Sequence, residues 1–262
     1  MIWVIAGTLD GRRLAVTVRE HTKTPVLVSV VSRYGAELAA HDGIEVHTGR
    51  LDEEAMKALI REKKISLLVD ASHPYAAIVT ATARSAAAAE GIPFVRFERA
   101  EVPLPAYDKL HHVSNEDEAA ALAGNLGDTI YLTTGSKTMH IFAKADALKN
   151  KTVWTRVLPT AEVLTMMEEL GVSPKHIIAM QGPFSYDMNR IMFSDTKAEV
   201  VVMKNSGLVG GSDTKLKAAM DLGLHIIVID RPQPAKGATT ITSADEFVDL
   251  WEDRVNGLCK KS

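Results

Sequence analysis

The chain has 262 residues, 46% of them hydrophobic and 24% charged, with a formal net charge of −3. That balance suits a soluble globular protein of about one to two domains and excludes a broad nucleic-acid-binding face. A single cysteine, Cys259, excludes a disulfide framework and points to a reducing cytoplasm; the apolar start is too short for a signal peptide, and no run approaches the roughly 20 residues that span a bilayer.

In chain order, β-branched runs at 2–6, 26–31, 66–70 and 94–97 predict strands, and after them come runs at 129–133, 152–156, 176–180, 199–203 and 225–229. Stretches at 52–63, 76–90, 115–123, 161–170, 214–222 and 244–254 carry Ala, Leu, Met, Glu and Lys at helical spacing. Strands without polar alternation, set between helices, predict parallel sheets covered on both faces. Nine strands are many for one sheet, and 98–114 carries two prolines and no clear period. Two doubly wound α/β domains are therefore expected. The first, over 1–100, is a dinucleotide-binding Rossmann-like domain; the second, over 101–262, is also Rossmann-like, with the ligand cleft between them.

Three strand ends carry loops suited to anions: GTLDG at 7–11, TTGSKT at 133–138 and KNSGLVGGSDTK at 204–215. Glycine there admits a phosphate to the backbone, and the following helix N-terminus offers free N–H donors. GSKT is not a P-loop tail, because Ser136 separates the glycine from the lysine. No tyrosine has a lysine four residues on; Tyr186 comes closest, with Arg190. The second strand ends in VSVVSRYG, with Ser29, Ser32 and Arg33 where an NAD-binding turn usually offers a carboxylate for the ribose hydroxyls. Hydroxyls and a guanidinium suit a 2′-phosphate, so NADPH is expected, with NADH as the alternative. VDASHPYAA places Ser72, His73, Pro74 and Tyr75 just after the next strand, with Pro74 positioned to begin a helix. The nine histidines are scattered and no cysteine cluster exists, so no metal site is expected.

Read in order, GTLDGRRLA, SVVSRYGAEL, DASHPYA, TTGSK, RVLP, QGPFS and KNSG followed by GG and K resemble the precorrin-6A reductase family of cobalamin biosynthesis, including its cobalt-precorrin form, over about residues 2–230. The resemblance implies two Rossmann-like domains with a strand exchanged between them near the C-terminal end. It also implies reduction of one double bond of a ring-contracted tetrapyrrole by hydride from a reduced nicotinamide cofactor. It implies that Gly7, Thr8, Asp10, Gly11, Ser29, Ser32, Arg33, Ser72, His73, Pro74, Tyr75, Thr134 and Gly135 lie near the cofactor. Arg12, Arg156, Gln181, Ser185, Lys204, Asn205, Ser206 and Lys215 would bind a substrate ringed with carboxylates, with Arg99 and Lys137 as further cations. Tyr75, His73 and Lys204 are the candidate proton donors. One departure is that Leu208 and Val209 separate Gly207 from the Gly210–Gly211 pair, which the family usually joins. The rival readings are a tetrapyrrole-pathway methyltransferase and a non-catalytic dinucleotide sensor. A cytoplasmic monomer without nucleic-acid or membrane partners is expected.

Overall fold

The computed structural model describes residues 1–232 and 239–259, which form two compact α/β units. In the first unit the chain runs β1 (Ile2–Ile5), α1 (Leu9–Thr22), β2 (Val26–Val30), α2 (Arg33–Ala39), β3 (Ile44–Thr48), α3 (Glu53–Glu62), β4 (Leu67–Asp70), α4 (Ala77–Ala89) and β5 (Phe94–Phe97). The second unit follows with β6 (Leu110–Val113), α5 (Glu116–Leu126), β7 (Thr129–Leu132), α6 (Met139–Lys144), β8 (Thr152–Val157) and α7 (Ala161–Glu169). It continues through β9 (Ile177–Ala179), α8 (Tyr186–Asp195), β10 (Val200–Lys204), α9 (Ser212–Asp221) and β11 (His225–Ile229). The chain then returns to the first unit for β12 (Thr239–Ile241) and α10 (Ala244–Cys259).

That return corrects the expected 101–262 domain. β12 pairs in parallel with β5, Thr239 against Val95 and Ile241 against Phe97, and Phe247 of α10 is buried in the same core as Ile2, Val4 and Val69. The first sheet is ordered β12-β5-β4-β1-β2-β3, and every pairing is parallel. Its β1 residues alternate between layers. Ile2 and Val4 join Leu14 and Val18 of α1 on one face; Trp3 and Ile5 join Met56, Leu59 and Ala83 of α3 and α4 on the other. Both faces are covered, which is why β1 reads as an unbroken apolar run.

The second sheet is ordered β6-β11-β10-β7-β8-β9 and is also parallel throughout. Tyr131, Val201, Met203 and Ile226 pack with Phe193 of α8 and Leu216 of α9. The stretch read as a linker over 98–114 contains β6 at its end, hydrogen-bonded beside β11. Local chemistry fixes the helix starts: Thr8, Ser32, Asp52, Asn115, Thr160 and Ser185 each accept a hydrogen bond from the backbone N–H three residues on.

In a doubly wound sheet, ligands bind beyond the carboxyl ends of the strands, where the strand order reverses. In the first sheet the reversal lies between β1 and β4; in the second it lies between β7 and β10. The three glycine-bearing loops and DASHPYA follow these four strands.

Candidate functional site

In the first unit, the turn from β1 into α1 is shaped by two glycines with opposite surroundings. A Cβ on Gly11 would lie 2.8 Å from the Ala71 carbonyl oxygen and 3.0 Å from Ala6 Cα, so glycine there lets α1 sit tight against the strand ends. A Cβ on Gly7 would meet nothing within 4 Å. The chain itself leaves the space beside Gly7 open, and that open space is what a pyrophosphate needs to approach the backbone. Thr8 Oγ1 accepts from the Gly11 N–H at 3.2 Å. The amides of Leu9 and Asp10 have no intrahelical acceptor and lie at the positive end of the α1 dipole, one turn from Gly7. These residues fit a dinucleotide.

The charges around the turn are sorted by their partners. Asp10 would repel a phosphate, but Arg99 Nε lies 3.0 Å from its Oδ2 and neutralises it. Arg99 is therefore engaged with Asp10. Arg12 is half-buried in the first turn and makes no side-chain hydrogen bond or ion pair among the described residues. A half-buried guanidinium without a partner is poised for an anion. Replacing Arg12 with Ala is expected to raise the substrate KM about tenfold or more while leaving the melting temperature unchanged; steady-state kinetics beside a thermal melt check both halves.

The β4 end is held by a buried ion pair. Arg96 Nη1 lies 2.9 Å from Asp70 Oδ2, and donates to Ser72 Oγ at 3.1 Å. Asp70 Oδ1 accepts from the Ser72 N–H at 3.0 Å. Ser72 thus helps to fix the turn through both its amide and its hydroxyl. The helix begins at Ala77, so Pro74 and Tyr75 form a turn before α4 and Pro74 does not open it. His73 Nδ1 accepts from the Tyr75 N–H at 3.3 Å, and the two rings lie 5.7 Å apart.

On β2, the Ser29 hydroxyl accepts from the buried Trp3 indole at 2.9 Å, inside the sheet layer. Ser32 caps α2, accepting from Gly35 N–H. The Arg33 side chain is 94% exposed and, among the described residues, its one ion pair is a 3.6 Å contact with Glu37.

In the second unit, the hydroxyl of Thr133 donates to Val202, whereas Thr134 Oγ1 is buried with no hydrogen-bond partner among the described residues. Gly135 follows at φ 79°, a conformation that favours glycine. Lys204 lies 2.7 Å from Glu116, an ion pair that weakens its case as proton donor. Asn205 is also reassigned. Its amide accepts from the Val102 N–H at 3.1 Å and donates to the Val102 carbonyl at 2.8 Å, fastening the segment before β6 to the β10 loop. Ser206 N–H donates to Ser212 Oγ across that loop. Leu208–Gly210 form a single 3-10 turn flanked by Gly207 at φ 83° and Gly211 at φ 64°. The two extra residues are therefore absorbed in a tight turn, with left-handed glycines at each side. Gln181 is exposed, Ser185 caps α8, and Arg156 and Lys215 are buried.

Chain comparison decides the family. The model of the family described as precorrin-6x reductase CbiJ/CobK matches residues 1–252. The chain belongs to the precorrin-6x reductase family. A cobalt-precorrin-6A reductase of Priestia megaterium is 38% identical over 249 residues, covering 95% of this chain and 96% of that relative. The cobalt-precorrin-6A reductase of Salmonella typhimurium is 34% identical, covering 95% and 91%. A precorrin-6A reductase of Mycobacterium tuberculosis is 26% identical over 95% and 96%. A solved CobK precorrin-6A reductase shares the reductase fold, with a TM-score of 0.79 at 24% identity over 96% of each chain. Among the described residues of this family member, no three His, Cys, Asp or Glu side chains group to hold a metal, and no helix is long and apolar enough to cross a membrane.

Proposed function

We infer that the chain reduces a double bond of cobalt-precorrin-6A, taking hydride from a reduced nicotinamide cofactor. The observation that carries this is the family match over residues 1–252, joined by a relative of that name that is 38% identical over 95% of this chain. The cobalt-containing substrate is favoured over the cobalt-free one because relatives at 38%, 35% and 34% identity carry the cobalt name, whereas two named precorrin-6A reductase are 28% and 26% identical.

The nicotinamide supplies the hydride, so the protein has to bind, orient and exclude water. In this reading Gly7 and the free amides of Leu9 and Asp10 take the pyrophosphate, with Arg99 keeping Asp10 from opposing it. Thr134 and Gly135 belong to the same cofactor-binding set. The β4 turn presents His73 and Tyr75, whose rings lie 5.7 Å apart, as the side chains proposed to deliver the proton to the reduced macrocycle. Arg12, Arg156 and Lys215 take substrate carboxylates. Each well-made charged hydrogen bond contributes about 1.5–3 kcal/mol.

NADPH is the proposed cofactor, because β2 ends without a carboxylate and Arg33 stands exposed at its end. Arg33→Ala is then expected to raise the Kd for NADPH about tenfold and to leave that for NADH unchanged. Equal loss for both cofactors, by fluorescence titration, would remove Arg33 from the 2′-phosphate. The reaction itself is tested anaerobically: cobalt-precorrin-6A should be consumed in step with the near-ultraviolet absorbance of the reduced cofactor, and no consumption would overturn the reading.

A further inference from the structure

The exposed large apolar side chains of the second unit gather at one end of its sheet. Among the described residues they are Leu158, Leu164, Met180, Met188, Ile191 and Leu208. Leu158, Met180 and Leu208 lie in the loops that leave β8, β9 and β10, and Leu164 and Met188 lie in the first turns of α7 and α8. Ile191 follows one turn further along α8. The loops that enter β7, β8, β9 and β10 instead carry exposed Asp128, Lys149, Lys175 and Lys197. A scattered apolar residue on a surface needs no explanation. Confinement of such residues to the end where doubly wound sheets bind ligands does.

The backbone holds three of these side chains out in water. The Met180 N–H donates to the Val157 carbonyl at 3.0 Å, which extends the β8–β9 register by one pair and sets Met180 beside Leu158. Leu158 is fixed from its other side, where its carbonyl accepts from the N–H of Thr160, the cap of α7. Leu208 is 69% exposed on its 3-10 turn. That turn is closed by bonds from the Gly210 N–H to the Gly207 carbonyl and from the Gly211 N–H to the Leu208 carbonyl. A Cβ on Gly210 would collide with Ser206 Oγ, so the turn is as tight as its residues permit. A leucine on a loose loop would collapse onto the protein. Three apolar groups on a fixed backbone are ordered before any ligand arrives, which removes part of the cost of binding.

We propose that Leu158, Met180 and Leu208 form an apolar platform in the second unit on which one face of the substrate macrocycle lies, a role that rests on the reductase function inferred above. β9 and β10 are three strand spacings apart, about 14 Å, the breadth of a four-ring macrocycle with its arms. Charge decides between that occupant and a second protein surface. The apolar points are not continuous. The β7 loop with exposed Lys137 comes between β8 and β10, and Arg156 lies two residues before Leu158. Apolar points interleaved with cations match a flat ring edged with carboxylates, whereas a protein interface buries a continuous apolar centre. The three side chains act by the area they remove from water, so they set where the ring sits.

The test is the substrate KM of Leu158→Ser, Met180→Ser and Leu208→Ser with cobalt-precorrin-6A and saturating reduced nicotinamide. Each should raise KM about tenfold, leave the melting temperature and the Kd for reduced nicotinamide unchanged, and show the same defect at low and high salt. Leu158→Met, Met180→Leu and Leu208→Met should keep the wild-type KM to within about twofold, since volume and apolarity are retained. A wild-type KM in any one of the serine variants overturns the platform while leaving the reductase reading intact. Absence of wild-type turnover overturns the reading and the platform with it. A wild-type dimer that the serine variants split, seen by sedimentation, also overturns the platform by making the rim an interface between copies. Should a serine variant not fold, hydroxyl-radical footprinting of the wild type decides. Loss of labelling at Leu158, Met180 and Leu208 with cobalt-precorrin-6A and oxidised nicotinamide supports the platform, and undiminished labelling refutes it.

Discussion

Arg96→Met is expected to lower the stability of the first unit by about 3–5 kcal/mol, the loss seen when one partner of a buried ion pair is removed. Asp70 is 0% exposed, and Arg96 is its only cationic partner among the described residues. Without the guanidinium the Asp70 carboxylate keeps a single donor, the Ser72 amide, in a layer that water does not reach. The second variant, Asp70→Asn with Arg96→Met, removes the stranded charge and should regain a large part of the loss, because replacing both partners is much cheaper than orphaning one. Native-state hydrogen exchange at the β1 and β4 amides reads the effect locally, unaffected by the second unit. A loss under about 1 kcal/mol would mean that the pair is not the clamp on the β4 turn.

The second large effect separates the two glycines of the first turn. Gly7→Val should weaken nicotinamide cofactor binding about 100-fold, about 2.7 kcal/mol, with the melting temperature unchanged. The side chain would enter space that the protein leaves open, and Gly7 is not among the residues with positive φ, so the backbone accepts it. Gly11→Ala should do the reverse. Its methyl group would press into the Ala71 carbonyl and Ala6, costing about 1–3 kcal/mol of stability, offset in part by the better helix propensity of alanine. Titration with reduced cofactor beside thermal melts distinguishes the pair. Undiminished cofactor affinity in Gly7→Val would move the pyrophosphate away from this turn.

The parallel-sheet architecture was readable because the central strands, buried on both faces, write themselves as apolar runs. IWVI and VVVM are of that kind. The strands that escaped notice, β3 as IEVHT, β6 as LHHV and β12 as TTI, are all edge strands with one neighbour. They are partly exposed and carry polar residues, so no run marks them. Missing β12 also misplaced the C-terminal helix, since nothing local in residues 239–259 says which sheet they join. At the candidate site, the glycine-bearing turn of the first unit was legible because the close approach at Gly11 leaves its mark on residue type. The pairs Asp10–Arg99, Asp70–Arg96 and Lys204–Glu116 were not, since each joins positions far apart in the chain. The bond from the Trp3 indole to Ser29 was not legible either, since a serine at a strand end reads the same whatever its hydroxyl meets.

The late return of the chain to its first sheet sets an order of assembly on the ribosome. When residues 1–100 have emerged, β5 still lacks its outer neighbour and the layer that holds Ile2 and Val69 still lacks Phe247. The intervening 101–231 stretch has all its own strands in hand before that gap is filled. The half made first is thus the half finished last, and until then an unpaired strand edge is open to other nascent chains.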